Sequence, residues 1–204
     1  MRLRLFNLLI MINKSTLRKE ALSKRKALSE EESNAMNDEL LNQFKTLDFT
    51  DIKSIHIFLP IAAKREPNTF LLIDWLQQEH PEITIVVPKA DFDTNEMSQH
   101  IYSSKEYLRP NDYQILEPIN DEPFLGVPDM VIIPLLAFDR NGYRLGYGKG
   151  FYDRFLQNIT TEKIGLSFFE PTEEIIDVHL NDIKLDKCIT PNGIVDFDCL
   201  NTID

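Results

Sequence analysis

The sequence predicts an α/β fold, a three-layer α/β/α sandwich around a mainly parallel, Rossmann-like sheet. Strand-like runs alternate with helix-like runs along the chain, which is the pattern of parallel sheets with helices on both faces. One run, residues 129–134, is almost wholly apolar, as expected for a strand that is buried on both faces. The chain has 204 residues without an internal repeat or an obvious linker, so residues 1–204 are expected to form a single domain.

Four helices are predicted, over residues 14–28, 29–47, 69–79 and 152–157. In the first, apolar residues recur at the helical period, and lysine and arginine occupy the remaining surface. The second begins with Ser29 and Glu32, which have the spacing of a capping box. These helices are expected to form the outer layers of the sandwich.

Strands are predicted over residues 54–59, 83–87, 129–134 and 164–169, with weaker candidates over residues 97–103 and 113–117. Pro60 and Pro88 are expected to end the first two, because proline lacks the N–H that a sheet needs. The tail over residues 177–195 is predicted to be mostly loop. Ligands of such sheets lie beyond the carboxyl ends of the strands, near the point where the strand order reverses. The segments that follow the strands are therefore the candidates for a site.

The composition excludes several classes of function. The 33 acidic residues outnumber the 22 basic ones, a formal net charge of −11, which argues against non-specific binding to nucleic acid. Residues 1–12 are basic and then apolar, but the run is too short for a membrane span and lacks a cleavage site. Residues 1–10 are expected to be an extension ahead of a start at Met11, and Cys188 and Cys199 to be free thiols. We expect a cytoplasmic monomer that binds a small molecule, without nucleic-acid or membrane partners.

A glycine-rich segment follows the apolar strand. Residues 142–150 contain four of the seven glycines of the chain, with Arg144 and Lys149 between them. Glycine allows a positive φ and a close approach of backbone N–H groups to a ligand, and a glycine loop that enters a helix presents these groups to an anion. The spacing matches neither the P-loop nor the dinucleotide fingerprint. A tight structural turn is the alternative, but the interleaved cations favour a phosphate-binding loop and a nucleotide ligand.

A long motif of this chain closely resembles the signature of the 5-formyltetrahydrofolate cyclo-ligase family. It covers residues 135–153 and reads Leu-Leu-Ala-Phe-Asp-Arg-Asn-Gly-Tyr-Arg-Leu-Gly-Tyr-Gly-Lys-Gly-Phe-Tyr-Asp. Other features of that family occur in the same order: a basic N-terminal helix, Glu-Pro-Asn-Thr at residues 66–69, Val-Pro-Lys at residues 87–89, and the acidic pair Asp182 and Asp186. The resemblance covers about residues 14–190.

The resemblance implies an enzyme that uses ATP and Mg²⁺ to convert 5-formyltetrahydrofolate to 5,10-methenyltetrahydrofolate, with release of ADP and phosphate. In the implied mechanism the formyl oxygen attacks the γ-phosphate, and N10 of the folate then closes the ring as phosphate leaves. Phosphorylation turns a poor oxygen leaving group into a good one. The work of such a protein is therefore mainly positioning and charge neutralisation.

The resemblance also implies which residues contact ATP. Lys14 and Arg18 lie four apart on one helix and match ATP contacts of the family, although a solvated basic helix surface is the alternative. The implied loop around the triphosphate comprises Arg144, Leu145, Gly146, Tyr147, Gly148, Lys149, Gly150, Phe151, Tyr152 and Asp153. Within it, Arg144 and Lys149 are expected to act in catalysis.

The implied folate and metal contacts come from several segments. Leu59 and Glu66 match positions that line the folate pocket, where a carboxylate can pair with the N–H pattern of a pterin, although residues 62–65 lengthen the loop here. The folate is also expected to contact Gly148, Lys149, Gly150, Phe151 and Tyr152. Asp153 and Asp182 match Mg²⁺ ligands, since oxygen suits this hard ion. An acid that balances the helix dipole is the alternative for Asp153.

Two other functions stay open at this point. Sugar-phosphate isomerases and CoA transferases share the predicted architecture, but they are expected to lack this glycine motif. A folate-binding paralogue without catalysis is the second, because Phe151 replaces a tyrosine that is usual in the family. Among the histidines, His56 alternates with apolar residues on a predicted strand, so we interpret it as a structural residue.

Overall fold

A computed structural model describes residues 14–119, 122–172, 175 and 178–197 of the chain. Residues 1–10 and Cys199, for which an extension and a second free thiol are predicted, lie outside the described residues. The helices are α1 Lys14–Ala27, α2 Glu30–Phe44, α3 Phe70–Glu79 and α4 Phe151–Leu156. The strands are β1 Ser54–Ile57, β2 Thr84–Asp91, β3 Glu96–Ile101, β4 Leu108–Pro110, β5 Leu116–Pro118, β6 Met130–Pro134, β7 Ala137–Phe138, β8 Arg144–Leu145, β9 Glu162–Leu166, β10 Lys187–Thr190 and β11 Gly193–Asp196.

Seven of these strands form one sheet in the order β11-β10-β9-β6-β1-β2-β3. The five central strands pair in parallel, and an antiparallel strand lies at each edge. The chain adds β2 on one side of β1 and returns to add β6 on the other side, so the strand order reverses between β1 and β6. This confirms the mainly parallel α/β sheet, and it locates the reversal at which such sheets bind ligands.

The side chains of β1 alternate between the two faces of the sheet. Ile55 and Ile57 are fully buried in the core that α2 and α3 cover, while His56 contacts Tyr152 and Phe155 of α4. Helices therefore cover both faces, which confirms the three-layer architecture. Helix α1 lies apart from these layers and packs with Leu17 and Ala21 against the β7–β8 hairpin. Among the described residues, no helix is long and apolar enough to cross a bilayer.

The N-terminus of α2 has the predicted capping box. Ser29 Oγ accepts the N–H of Glu32 at 3.0 Å, and the Glu32 carboxylate accepts the N–H of Ser29 at 2.7 Å. Two exposed N–H groups of the first turn are thus satisfied, which fixes the start of the helix. The helix ends at Phe44, three residues earlier than predicted, and a turn from Phe44 to Leu47 follows it.

Three strand predictions were wrong. Strand β2 does not end at Pro88 but continues to Asp91. Its pairing with β1 stops at Val86, so beyond this residue β3 alone among the described strands pairs with it. Proline is tolerated there, because no strand on the other side needs its missing N–H. The tail predicted to be loop contains β10 and β11, whose four residues each are too few to show a period. The strand predicted over residues 113–117 begins later, as β5, and pairs with β4.

Candidate functional site

A cavity of about 690 Å³ opens beyond the carboxyl ends of β1 and β6. It lies at the reversal of strand order, where the sequence analysis expects a site. Every predicted site residue lines it: Lys14, Arg18, Leu59, Glu66, Arg144, Leu145, Gly146, Tyr147, Gly148, Lys149, Gly150, Phe151, Tyr152, Asp153 and Asp182. The fold thus brings together side chains from both ends of the sequence, although their individual roles stay predictions.

The glycine-rich loop has backbone conformations that explain its composition. Gly148 and Gly150 have φ values of 88° and 71°, which residues with a Cβ rarely adopt. A Cβ on Gly148 would lie 3.3 Å from the Arg18 guanidinium carbon, whereas one on Gly146 would meet no heavy atom within 4 Å. The glycine requirement is therefore strict at residue 148 and weak at residue 146.

Helix α1 lies across this loop. Arg18 Nε donates to the backbone oxygen of Gly146 at 3.0 Å, and Lys14 Nζ lies 2.5 Å from a carboxylate oxygen of Asp182. Lys14 is buried despite its charge. The alternative of a solvated basic helix surface is therefore wrong for these two residues, which face the cavity.

Arg144 is held by the protein on two sides. Its guanidinium is 2.8 Å from Asp153 Oδ1 and donates to the backbone oxygen of Ile183. Burial lowers the pKa of Arg144, and the charges of Asp153 and Asp182 oppose this shift. Through the bond to Asp153, Arg144 orients this carboxylate at the edge of the loop.

Within the described part of the chain, Asp153 and Asp182 each use one carboxylate oxygen as a hydrogen-bond acceptor. Asp153 Oδ1 accepts from Arg144 and from the N–H of Ile183, and Asp182 Oδ2 accepts from Lys14 and from the N–H of His179. Burial acts to raise the pKa of Asp182, but these hydrogen bonds outweigh it and the pKa is lowered. With the described residues, Asp153 Oδ2 and Asp182 Oδ1 form no hydrogen bond, so both stay available to a ligand.

The two aspartates also line an adjoining recess of about 490 Å³, together with Lys14, Arg18 and Gly148. Within the described ranges, no group of three or more His, Cys, Asp or Glu side chains could hold a metal by itself. Two carboxylate oxygens beside the glycine-rich loop nevertheless fit Mg²⁺, which usually takes one or two carboxylates and completes its shell with phosphate oxygens and water. Asp186, the neighbouring acid of the motif, instead pairs with Lys163 at 2.7 Å.

A buried network links the glycine loop to Glu66. Arg25, which is 4% exposed, donates to the backbone oxygens of Lys64 and Leu135 at 2.8 and 3.1 Å and to the Tyr147 hydroxyl. The Tyr147 hydroxyl in turn donates to Glu66. Because Glu66 also accepts the N–H of Ile61 at 2.8 Å, both of its oxygens already have donors within the protein.

The sequence analysis missed Arg25, although a signal for it exists. Arg25 follows Arg18 by seven residues, two helical turns, so it lies on the face of α1 that Lys14 and Arg18 share. Extending that face along the helix would have included it. Nothing in the sequence indicates that its partner is Tyr147.

Tyr152 is fixed by the sheet beneath it. Its hydroxyl is 3.1 Å from His56 Nε2, and His56 Nδ1 is 3.2 Å from the Gln99 side-chain oxygen. Burial lowers the pKa of His56 to about 4, so the ring is neutral near pH 7 and Nε2 accepts the tyrosine proton. This confirms His56 as a satisfied structural residue, and it shows that the Tyr152 hydroxyl is directed at the sheet.

Aromatic side chains form another part of the cavity wall. The ring of Phe92, just after β2, lies 4.1 Å from that of Tyr113 and 5.3 Å from that of Phe151, centroid to centroid, and all three residues line the cavity. Phe151 keeps its place there by ring packing, which needs no hydroxyl. Phe92 and Tyr113 were missed because they lie far apart in the sequence, outside any recognisable motif.

The family of the chain follows from comparison of this sequence with known families. The model of the 5-formyltetrahydrofolate cyclo-ligase family matches residues 10–191. The chain belongs to this family. The match includes α1, the glycine loop and both aspartates, so it covers all the elements that form the cavity.

Known cyclo-ligases resemble the chain in sequence and structure. The Mycoplasma pneumoniae 5-formyltetrahydrofolate cyclo-ligase is 31% identical over 87% of this chain and 98% of its own length, and that of Escherichia coli K12 is 27% identical over 84% and 96%. An NMR structure of Aquifex aeolicus 5,10-methenyltetrahydrofolate synthetase matches with a TM-score of 0.76 at 31% identity, covering 90% of this chain and 92% of that one. These relatives are enzymes, and the shared architecture extends over nearly the whole chain.

Proposed function

We propose that this member of the family converts 5-formyltetrahydrofolate to 5,10-methenyltetrahydrofolate, using ATP and Mg²⁺ and releasing ADP and phosphate. The observation that supports this most strongly is a single cavity with two kinds of wall. The wall that we call the phosphate side consists of Lys14, Arg18, residues 144–150, Asp153 and Asp182. The wall that we call the folate side consists of Leu59, Glu66, Phe92, Tyr113 and Phe151.

On the phosphate side, the loop and its cations would bind the nucleotide. The ammonium of Lys149 lines the cavity in an exposed position and forms no hydrogen bond or ion pair with the described residues. An unpaired ammonium can move to the phosphoryl oxygens, where charge must be neutralised during transfer. Arg144 would also act through Asp153, whose carboxylate it orients.

The same wall offers a place for Mg²⁺. Asp153 Oδ2 and Asp182 Oδ1 would bind the ion, and Arg144 and Lys14 hold the two carboxylates in place from behind. Bound there with ATP, Mg²⁺ would neutralise charge on the phosphate oxygens.

On the folate side, the wall would hold an aromatic, planar molecule against the reacting phosphate. Stacked aromatic side chains bury such rings well, and they exclude water that would otherwise hydrolyse the activated formyl group. Tyr152 contributes a ring whose orientation is fixed by His56. Since both Glu66 oxygens have donors within the protein, Glu66 would face the pterin only as a further acceptor.

The remaining predictions belong to this proposal. A single domain over residues 1–204 agrees with the seven-stranded sheet, which contains both β1 and β11. A monomeric state and a cytoplasmic location stay predictions from the sequence.

A spectroscopic assay tests the proposal. Purified protein mixed with ATP, Mg²⁺ and 5-formyltetrahydrofolate should produce the near-ultraviolet absorbance of the methenyl product. Omission of ATP, or chelation of Mg²⁺, should abolish the signal. Folded protein that gives no product at high concentration would contradict the proposed function.

A further inference from the structure

Lys64 has a position that the sequence pattern of the family does not account for. It ends the short turn Ala62–Lys64 after β1, within the stretch that lengthens the loop before Glu66. Its ammonium lies 3.9 Å from the centroid of the Tyr147 ring, and the residue lines the 690 Å³ cavity. A cation over an aromatic face is held in a defined place, so the ammonium has a fixed position at the cavity wall.

The cations of this cavity differ in their partners. Lys14 pairs with Asp182, Arg144 with Asp153, and Arg18 donates to the Gly146 oxygen. Lys64 and Lys149 are different, since within the described part of the chain neither ammonium forms a hydrogen bond or an ion pair. Lys149 is exposed, whereas Lys64 is half-buried.

The charge of Glu66 does not fully offset the burial of the Lys64 ammonium. Glu66 is the acid whose charge acts on it, but the Glu66 oxygens already accept from Tyr147 and from the N–H of Ile61, and Arg25 lies 3.8 Å from one of them. Burial lowers the pKa of Lys64, and the charge of Glu66 opposes this shift. A partly desolvated cation that forms no ion pair with the protein is stabilised when an anion binds beside it.

The position of Tyr147 indicates which anion this is. The backbone of Tyr147 lies between Gly146 and Gly148 of the phosphate-binding loop, while its hydroxyl contacts Glu66 of the folate side. An ammonium over its ring therefore lies where the two sides of the cavity meet. In the proposed reaction, the phosphoryl group is the group that passes from the phosphate side to the folate side.

We propose that Lys64 is a further catalytic residue, whose ammonium binds the phosphoryl group as it moves from ATP to the formyl oxygen. This inference rests on the proposed function. In the step, a lone pair of the formyl oxygen forms a bond to the terminal phosphorus. The bond from that phosphorus to the bridging oxygen breaks, and its electron pair leaves on ADP. Lys64 stays protonated throughout and stabilises the charge on the oxygens of the phosphoryl group.

The test compares two lysines that stack on tyrosines of the same segment. Lys184 lies 4.7 Å from the centroid of the Tyr143 ring, and it lines neither the 690 Å³ cavity nor the adjoining recess. Lys64→Met and Lys184→Met remove one ammonium each and keep the apolar stem. Lys64→Arg keeps the charge. Titration calorimetry with ATP and with ADP, both with Mg²⁺, and with 5-formyltetrahydrofolate is combined with kcat measurements.

The expected result separates the two nucleotides. Lys64→Met should lower kcat roughly 100-fold, the scale of a lost transition-state donor. It should weaken binding of ATP about 10-fold, as for one charged hydrogen bond, and leave ADP binding unchanged. Lys64→Arg should restore most of the activity, and Lys184→Met should resemble the wild type in every measurement.

Several outcomes would overturn the inference. An unchanged kcat in Lys64→Met would do so, as would equal weakening of ATP and ADP. A loss of affinity for 5-formyltetrahydrofolate with an unchanged preference for ATP would assign Lys64 to a carboxylate of the substrate instead. If Lys64→Met does not fold, Lys64→Gln makes the same comparison. If the wild type gives no product, the proposed function fails, whereas the binding data still decide whether Lys64 contacts the terminal phosphate.

Discussion

The phosphate side and the folate side of the cavity are constructed in different ways. Most of the phosphate side comes from one short stretch, residues 144–150 with Asp153, and α1 lies across it. The folate side is assembled from the segment after β1, the turn after β2, the residues before β5 and the start of α4. Backbone conformation and paired charges determine the first, and packing of rings determines the second.

This difference leads to unequal sensitivity to mutation. Neighbouring side chains cannot replace a glycine with a positive φ or a charge aimed at phosphate, so loss of either on the phosphate side should be severe. Ring packing is shared among several side chains, each of which adds a modest amount. Single changes on the folate side should therefore be mild and should affect folate more than ATP. The predictions below test this contrast, beginning with the largest effect.

Replacement of Lys149 should have the largest effect. Lys149→Ala should lower kcat about 1000-fold, because it removes a charge that neutralises the transferred phosphate, while the dissociation constant of 5-formyltetrahydrofolate stays close to that of the wild type. Steady-state kinetics and folate titration measure the two quantities. Lys184→Ala provides the control for loss of a lysine elsewhere. Normal turnover of Lys149→Ala would remove Lys149 from the mechanism.

Replacement of Gly148 should have the second-largest effect. Gly148 has φ 88° and its added Cβ would press on Arg18, so Gly148→Ala should weaken ATP binding roughly 30-fold through backbone strain and displacement of Arg18. Gly146→Ala is the matched control, since an added Cβ there meets no atom within 4 Å. Calorimetry with ATP should separate the two variants, and equal effects would contradict the assigned loop geometry.

The buried His56 should make stability depend on pH. Its pKa is lowered to about 4 in the folded protein, so below its ordinary pKa of about 6.5 the unfolded chain binds a proton that the folded chain does not. Protonation of His56 in the unfolded chain should therefore lower the free energy of unfolding by about 2 kcal/mol as the pH falls from about 7 to about 5.

Urea unfolding at the two pH values measures this effect. His56→Phe should lose most of the pH dependence, whereas the partly exposed His80→Gln should keep it. An identical pH dependence in wild type and His56→Phe would show that another group is responsible. The comparison also tests whether Tyr152 is anchored as described.

The folate side should show the smallest effect. Phe92→Leu removes one ring from the cluster with Tyr113 and Phe151, and it should raise KM for 5-formyltetrahydrofolate about 5-fold, the scale of one aromatic contact. KM for ATP should not change. Tyr107→Leu, at an exposed aromatic residue outside the cavity, is the control. A larger effect on ATP than on folate would reverse the assignment of the two sides.

The sequence predicted the parts of the molecule whose physics is local. The capping box of α2, the apolar β6 and the glycine loop each depend on residues close together in the chain, and they have the predicted structure. The family resemblance placed distant residues such as Lys14 and Asp182 in one site, but it did not predict the ion pair between them.

What the sequence did not predict depends on tertiary pairing. Pro88 lies inside β2 because β1 stops alongside Val86, which no local pattern reveals. Arg25, Phe92 and Tyr113 become part of the cavity only after the sheet has formed. Lys64 lies in a stretch that departs from the family pattern, so the resemblance gave no role for it.

The most direct test of the central claim follows both products in one reaction. With 5-formyltetrahydrofolate, ATP and Mg²⁺, the rise in near-ultraviolet absorbance of the methenyl product is measured alongside ADP release. Because the two sides of one cavity are proposed to act on one phosphoryl group, one ADP should appear for each methenyl product, and neither should form without the other substrate. ADP release without methenyl product, or methenyl product without ATP, would contradict the proposed reaction.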